Sequence, residues 1–312
     1  MITTHGSAAT RLQPANGEFN PYAAFAWFTA GQLMTLGVSG SSDHGLPAGH
    51  GGGDPIVSVE AMGDRTGRGH TLVRSDVVAF NCGARYVTGS QSWNGQPAVL
   101  FNNQINNLRY SIDHASTVTH MRWGSLLADS DLADLVADGG DFSVFCAVSP
   151  QDSNYEYNIL TWYDVNNAPS VMFGLDSNHR PRLNLTNASG SSQTITSVGA
   201  GCVVGMVKQN QEYTIYSYDG ASLFSKHQVS TLNVHQEGME LRVGGANTAG
   251  VALAGIISDL IFFAGVVSPI DFYSYYTYVS SSFGIRNSSE PYGNPDFPLN
   301  EPSDYVPGVD GP

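Results

Sequence analysis

Carboxylates are the residues in this sequence most able to do chemistry, and their spacing limits what that chemistry can be. Hydrolysis of a glycosidic bond needs two carboxylates that face each other at a set separation. The nearest groups of acids are Asp152 with Glu156, in a predicted turn, and Glu237 with Glu240, in a predicted loop before a strand. We expect these to be solvated loop acids, which predicts no catalytic residues and a chain that is not an enzyme.

Other catalytic signatures are missing from the sequence. It contains no G-x-S-x-G elbow, and neither of its two lysines, Lys208 and Lys226, follows a glycine as in a phosphate-binding loop. The Gly-rich stretch at 37–54 holds two aspartates and two histidines, but their spacing matches no metal signature. Cys82, Cys146 and Cys202 lie 64 and 56 positions apart, which favours buried free thiols over a zinc site or a disulfide framework.

Aromatic rings are the better candidates for binding, because sugar rings stack on exposed Tyr and Trp faces. Tyr216 and Tyr218 fall on one face of a predicted strand, and Trp162 with Tyr163 ends another strand near an Asn-rich loop. We take these four residues as candidate ligand contacts. The alternative, which is the commoner role for such rings, is that they fill a core or a protein contact.

The overall charge excludes two classes of partner. The 312 residues include 27 acidic and 13 basic side chains, for a formal charge of −14. Phosphate backbones and anionic membrane surfaces repel such a chain, so we expect no nucleic acid and no membrane partner. The most apolar stretch, 251–267, is interrupted by polar residues and glycines, and the first residues lack the features of a secretion signal.

The pattern of short apolar runs predicts an all-β protein. Segments of alternating apolar and polar residues recur about every ten to twelve positions between turns, which is typical of a β-sandwich or barrel. Two short helices are predicted, one at 130–140 and one that begins at Ser268 and presents Phe272, Tyr276, Val279 and Phe283 as a stripe. The predicted strands are 56–59, 142–148, 157–163, 170–175, 182–186, 193–198, 202–208, 212–218, 239–244 and 255–266.

The organisation predicted along the chain is one large domain between two extended arms. Residues 1–18 form a polar N-terminal arm, 19–286 form the sandwich with an exposed Gly-rich loop at 37–54, and 287–312 form a Pro-rich acidic tail. A split into two domains near residue 140 is the alternative.

Several segments, taken in order, resemble the concanavalin A-like lectin/glucanase superfamily in its laminin-G-like jelly-roll form. The firmest match is the end of the domain, where L-R-V-G-G, then L-A-G-I-I-S-D-L-I-F, then F-G-I resemble the superfamily's closing strands. A turn near residue 64 departs from the pattern, since Met62 stands where tryptophan is usual. The matching segments are 24–31, 57–70, 94–101, 142–148, 241–245, 253–262 and 283–285.

This resemblance implies an antiparallel jelly-roll β-sandwich, without the acidic run on one strand that glucanase members use. Such domains are common in phage and bacterial surface proteins. We therefore predict a non-enzymatic structural protein on the surface of a tailed-phage virion, a capsid decoration protein or a tail or fibre component. Its partners would be other virion proteins and copies of itself.

Two alternatives stay open, a glycan-binding adhesion module for host surface polysaccharide and a polysaccharide-degrading enzyme. No cofactor is expected, apart from a Ca²⁺ ion that the resemblance implies at a loop rim. Asp164, Asn166 and Asn167 are the candidate oxygen ligands for that ion.

Overall fold

The computed structural model describes residues 20–39, 56–74, 84–89, 95–101, 121–124, 132, 135, 140–150, 157–163, 169–185, 193–194, 203–210, 212–218, 223–229, 240–244, 253 and 255–283. Antiparallel strands make up most of these residues. Beside them stand a 3-10 helix at Pro21–Ala23 and an α-helix, α1, at Pro269–Phe283. The strands are β1 (Ala26–Thr29), β2 (Met34–Ser39), β3 (Ile56–Gly63), β4 (Thr71–Arg74), β5 (Arg85–Gly89), β6 (Gly95–Phe101), β7 (Met121–Gly124), β8 (Phe142–Pro150), β9 (Tyr157–Tyr163), β10 (Pro169–Leu175), β11 (Pro181–Leu185), β12 (Gln193–Thr194), β13 (Val203–Gln209), β14 (Glu212–Tyr218), β15 (Leu223–Val229), β16 (Glu240–Val243) and β17 (Gly255–Ala264).

The strands form two layers. The first sheet has the order β15-β14-β13-β8-β17, and β1 and β6 share the outer edge of β17. The second sheet has the order β4-β7-β16-β9-β10-β11-β12. Strand β3 pairs with β4 and β5, and β5 pairs with β6, so hydrogen bonds also link the two layers. The predicted all-β sandwich is confirmed, while the jelly-roll order stays a prediction.

The main core lies between the two sheets. Alternate residues of β8, Phe142, Val144 and Cys146, point into it and are fully buried. The Phe142 ring packs against the ring of Trp162 on β9, with 5.6 Å between centroids. Cys146 is a free, buried thiol as predicted, and Cys82 and Cys202 lie outside the described residues.

Helix α1 covers the other side of the first sheet. It begins with a capping box in which the Ser268 and Asp271 side chains each accept a hydrogen bond from the other residue's backbone N–H, both at 3.2 Å. Close approach to the sheet requires a glycine on β13, since a Cβ at Gly205 would lie 2.5 Å from the Phe145 ring and 3.0 Å from the Phe272 ring. Strands β8 and β17 are thereby covered on both faces, which explains their nearly continuous apolar sequences.

The structure extends the predicted elements in several places. Strands β2, β4, β5, β7 and β15 were not predicted, and β2 runs through Ser39, so the first three residues of the predicted Gly-rich loop belong to a strand. Glu240 is the first residue of β16, within the predicted strand at 239–244, and it is buried, so the expectation that it is a solvated loop acid is wrong. Leu132 and Leu135, in the predicted helix at 130–140, are helical and buried.

Both predicted arms, 1–18 and 287–312, lie outside the described residues. Of the helices that the structure describes, none has the length and hydropathy needed to cross a membrane.

Candidate functional site

The outer side of the second sheet carries a set of polar residues that alternate with core residues. On β16, Leu241 and Val243 enter the core, and the residues between and before them face outward. The same alternation holds on β11, whereas on β9 a register shift, with Ile159 and Leu160 both in the core, brings Asn158 to the same side as Thr161 and Tyr163. We call this side the polar face, and its residues are Asn158, Thr161, Tyr163, Arg182, Asn184, Glu240 and Arg242.

Strand register brings these residues into rows across the sheet. In one row, Arg242 opposes Thr161, which opposes Met172, which opposes Asn184. In the neighbouring row, Gly174 on β10 stands between Asn158 on β9 and Arg182 on β11. The residue between the Asn158 amide and the Arg182 guanidinium in this row is thus a glycine, which is itself buried.

Two buried side chains on the polar face lack hydrogen-bond partners. Asn158 is 1% exposed and Thr161 is 0% exposed, yet within the described part of the chain both amide atoms of Asn158 and the Oγ1 of Thr161 have no hydrogen-bond partner. A buried polar atom without a partner costs about 1–3 kcal/mol, and such atoms are rare in folded proteins. These three atoms can therefore accept a ligand hydroxyl or a water without giving up an existing bond.

A buried ion pair lies beside them. The Arg242 Nε donates to Glu240 Oε1 at 2.5 Å, and the guanidinium carbon lies 4.1 Å from the centre of the Tyr163 ring. Glu240 and Tyr163 are opposite each other in the register of β16 and β9. These contacts hold the guanidinium in one orientation and cover one face of the tyrosine.

A second polar cluster lies under α1, and its contacts indicate a structural role. Asp259 on β17 is fully buried and accepts hydrogen bonds from Trp27 Nε1 at 2.8 Å, Thr29 Oγ1 at 2.7 Å and Tyr275 Oη at 2.9 Å. Burial raises the pKa of this carboxyl to about 6, against the opposing effect of these hydrogen bonds and of Arg65. With its acceptors engaged and no exposed surface, Asp259 joins β1, β17 and α1 and offers nothing to a ligand.

The turn at 64–70, which carries part of the family resemblance, is also structural. Asp64 accepts hydrogen bonds from the backbone N–H groups of Trp27 at 2.8 Å, Thr66 at 2.9 Å and Arg68 at 3.2 Å. The turn places the Arg65 guanidinium 3.8 Å from the centre of the Trp27 ring. It thus fixes the tryptophan that donates to Asp259.

The aromatic residues predicted as ligand contacts do not offer free ring faces. The Trp162 ring packs against Phe142 in the core between the sheets, so the prediction for it is wrong, and its neighbour Tyr163 is buried on the polar face under Arg242. Tyr216 is buried beneath α1, with its ring 5.5 Å from that of Phe272. The backbone of Tyr218 belongs to β14, and its side chain lies outside the described part of the chain. For Trp162 and Tyr216, the alternative role of core filling is the right one.

The predicted metal ligands Asp164, Asn166 and Asn167 lie outside the described residues, so the Ca²⁺ site stays a prediction. Within the described part of the chain, no three His, Cys, Asp or Glu side chains come together in a way that could hold a metal ion.

Sequence reasoning missed the polar face because it searched for acids and aromatic rings. The signal was present as alternation: E-L-R-V at 240–243 and R-L-N-L at 182–185 each place two polar side chains on one face and two apolar side chains on the other. In an ordinary sheet such polar residues face solvent. Here most of them are buried, and burial cannot be inferred from the alternation alone.

Comparison with solved structures finds proteins of similar fold, while the comparisons of the sequence find none. No family model matches the sequence, and the comparison with curated proteins found no relative. A Trypanosoma rangeli sialidase in complex with the inhibitor DANA has a TM-score of 0.50 at 12% identity, over 86% of this chain and 35% of that one. An arabinofuranosidase complexed with arabinofuranosyl-alpha-1,2-xylobiose has a TM-score of 0.49 at 13% identity, over 81% of this chain and 61% of that one.

A smaller structure, the CBM40 of Ruminococcus gnavus IT-sialidase bound to alpha2,6 sialyllactose, has a TM-score of 0.37 at 14% identity, over 48% of this chain and 89% of that one. The chain thus spans less than two thirds of the arabinofuranosidase and about a third of the sialidase. At these identities the likeness concerns the fold alone.

The main functional prediction, a non-enzymatic structural protein of a tailed-phage virion, is wrong in light of the match to the sialidase. The findings agree better with the alternatives, in which the protein acts on or binds carbohydrate. The prediction failed because it rested on how often this kind of sandwich occurs in phage proteins, and one fold serves many functions. The resemblance to the concanavalin A-like superfamily stays a prediction.

Proposed function

We propose that this protein binds carbohydrate on the polar face of its second sheet. The observation that carries the proposal is the pair of buried, unpartnered side chains, Asn158 and Thr161, on a face that also holds Glu240 and Arg242. An amide offers two donors and an acceptor, and a hydroxyl offers one donor and two acceptor lone pairs. Neighbouring sugar hydroxyls, which donate and accept in turn, match this set.

Binding without hydrolysis is the form of this function that the face supports best. Strands β7, β9, β10, β11 and β16 contribute one carboxylate among them, Glu240, and its Oε1 is engaged by Arg242. Two-carboxylate hydrolysis needs a second acid about 5–10 Å away. A polysaccharide-degrading enzyme is the second candidate, favoured by the likeness of the fold to that of the sialidase.

Two substitutions that remove the unpartnered atoms test the proposal. We expect Thr161→Val and Asn158→Leu each to weaken saccharide binding about tenfold, since one lost hydrogen bond is worth about 1 kcal/mol or somewhat more. Neither variant should lower the free energy of unfolding by more than about 1 kcal/mol, because no existing hydrogen bond is lost. A glycan array would supply the ligand, titration calorimetry the affinity and urea denaturation the stability.

The matched control is Thr277→Val on α1, which removes a threonine hydroxyl on the far side of the first sheet. Its affinity should equal that of the wild type. Wild-type affinity in both Thr161→Val and Asn158→Leu would overturn the proposal, as would the absence of any array ligand. Release of reducing sugar from a bound saccharide, abolished by Glu240→Gln, would establish the hydrolase instead.

A further inference from the structure

We propose that two copies of this chain pair through the outer face of helix α1, with the two helices antiparallel. The outer face of α1 is the side that points away from the first sheet, and its residues are Ile270, Tyr273, Ser274, Thr277 and Ser281. The polar face lies on the opposite side of the sandwich. The pairing therefore goes beyond the proposed function and does not depend on it.

The outer face of α1 exposes two large apolar side chains. Ile270 is 66% exposed and Tyr273 is 49% exposed, and their spacing of three positions puts them on the same side of the helix. Solvent-facing helix surfaces normally carry charged and polar residues. Asp271 is the one charged residue in the sequence of α1, and its side chain belongs to the N-terminal capping box. The outer face can therefore leave water without the cost of desolvating a charge.

The hydroxyl groups of the outer face are already hydrogen-bonded to the helix itself. Ser274, Thr277 and Ser281 each donate to a backbone carbonyl three or four residues earlier in the chain, at 3.0, 3.1 and 2.9 Å. Burial of a hydroxyl is costly when its hydrogen bond to water is lost and not replaced. Because these bonds persist when the face is covered, the hydroxyls add little to the cost of a contact.

The outer face of α1 fits a second copy of itself because its two halves differ in size. In a two-fold contact one patch must complement itself. When the second helix runs antiparallel about a point between residues 275 and 276, Ile270 of each copy lies over Ser281 of the other. In the same arrangement Tyr273 lies over Thr277. Large side chains thus meet small ones on both sides of the two-fold axis, which lets the two helices pack closely.

The charge of the chain limits where a second copy can approach. Each copy has a formal charge of −14, so two copies repel each other least where uncharged surfaces meet. An antiparallel pair puts the two Asp271 side chains at opposite ends of the contact and opposes the two helix dipoles. A helix of this length spans about 22 Å. The contact is therefore small, and we expect a weak dimer with a Kd of about 10–100 µM.

Sedimentation equilibrium of the full chain between about 5 and 500 µM tests the pairing. The average mass should rise from the monomer value of 33.2 kDa toward twice that value. Thr277→Arg puts two like charges near the two-fold axis and should weaken the dimer more than about tenfold. Arginine favours helix more than threonine does, so this variant should keep its fold. The matched control is Thr71→Arg at an exposed position on β4 of the second sheet, which should keep the wild-type Kd.

Cysteine cross-linking tests the antiparallel orientation. In this pairing the two Cα atoms of residue 274 lie about 6 Å apart, within the range of a disulfide, and those of residue 281 lie about 17 Å apart. Mild oxidation should therefore give covalent dimers of Ser274→Cys and none of Ser281→Cys. Both yields are measured above that of the wild type, because the chain has three cysteines of its own.

A wild type that stays monomeric over the whole concentration range overturns the proposal and leaves the outer face of α1 to a different partner. Equal dimerisation of the wild type and Thr277→Arg also overturns it, since the dimer would then use another surface. Equal cross-linking of Ser274→Cys and Ser281→Cys would indicate parallel helices and overturn the antiparallel pairing. Each of these results leaves the proposed function standing, because saccharide binding is measured separately.

Discussion

Replacing Asp259 by alanine is expected to lower the free energy of unfolding by about 3–5 kcal/mol more than replacing it by asparagine. Both variants remove the charge, but alanine also leaves three buried donors, on Trp27, Thr29 and Tyr275, without an acceptor. Each such donor costs about 1–3 kcal/mol, and the cavity adds to the loss. The side-chain oxygen of asparagine can still accept from Trp27 and Thr29. Its NH₂ group can donate to the hydroxyl oxygen of Tyr275.

Urea denaturation of both variants at one pH measures this difference. Equal stability of Asp259→Ala and Asp259→Asn would mean that the hydrogen bonds seen at this carboxyl do not hold β1, β17 and α1 together.

A related prediction concerns how the free energy of unfolding depends on pH in the wild type and in Asp259→Asn. The folded pKa of Asp259 is about 6, raised from an ordinary value of 3.8. A raised carboxyl pKa means that the folded state holds the proton more tightly, so the stabilisation is complete below about pH 3.8 and is lost as the pH rises through 6. The wild type should therefore lose about 3 kcal/mol relative to Asp259→Asn between pH 3.5 and 7.

The groups that face Asp259 from the elements around it are Arg65, Cys146, Tyr275 and Tyr278. Burial raises the pKa of the Cys146 thiol and of the Tyr275 hydroxyl, so both stay neutral over this pH range. The difference between the two proteins therefore reports Asp259. Parallel stability profiles for wild type and Asp259→Asn would contradict the assignment.

The second large effect is expected for Gly244→Ala, with a loss of about 2–5 kcal/mol of unfolding free energy. Gly244 directly follows β16 with φ at +77°, and a Cβ there would overlap the ring of Phe101. Left-handed backbone costs a residue other than glycine about 1–2 kcal/mol, and overpacking of a core adds about 1–3 kcal/mol.

Gly67→Ala provides the matched control, because Gly67 has φ at +81° and no heavy atom within 4 Å of the position where a Cβ would lie. It should cost about 1–2 kcal/mol, the backbone contribution alone. Thermal or urea denaturation would compare the two. Equal losses in both variants would mean that the Phe101 ring does not pack over Gly244.

The strands that could be predicted from the sequence are those that are buried on at least one face. Strands β8, β9 and β14 were predicted within two residues at each end because strong apolar alternation defines them. Short strands such as β4 and β7 have four residues each and too little alternation to stand out. Their stability comes from neighbours that are distant in sequence.

The site could not be predicted from the sequence, for a different reason. Trp162 and Tyr163 are adjacent aromatic residues, yet successive side chains on a strand point to opposite faces, one into the core and one onto the polar face. The surroundings of each ring therefore depend on the strands that lie beside β9. The row that joins Asn158, Gly174 and Arg182 depends on two register shifts between β9 and β10, and no local pattern reports these.

The central claim is that a saccharide binds on the outer side of the second sheet, and methyl NMR of methionine residues tests it directly. Met172 lies on the polar face opposite Thr161, whereas Met62 and Met206 are buried in the core between the sheets. At a saturating concentration of the tightest array ligand, the Met172 methyl signal should shift and the Met62 and Met206 signals should not. An unshifted Met172 signal with the ligand bound would contradict the account.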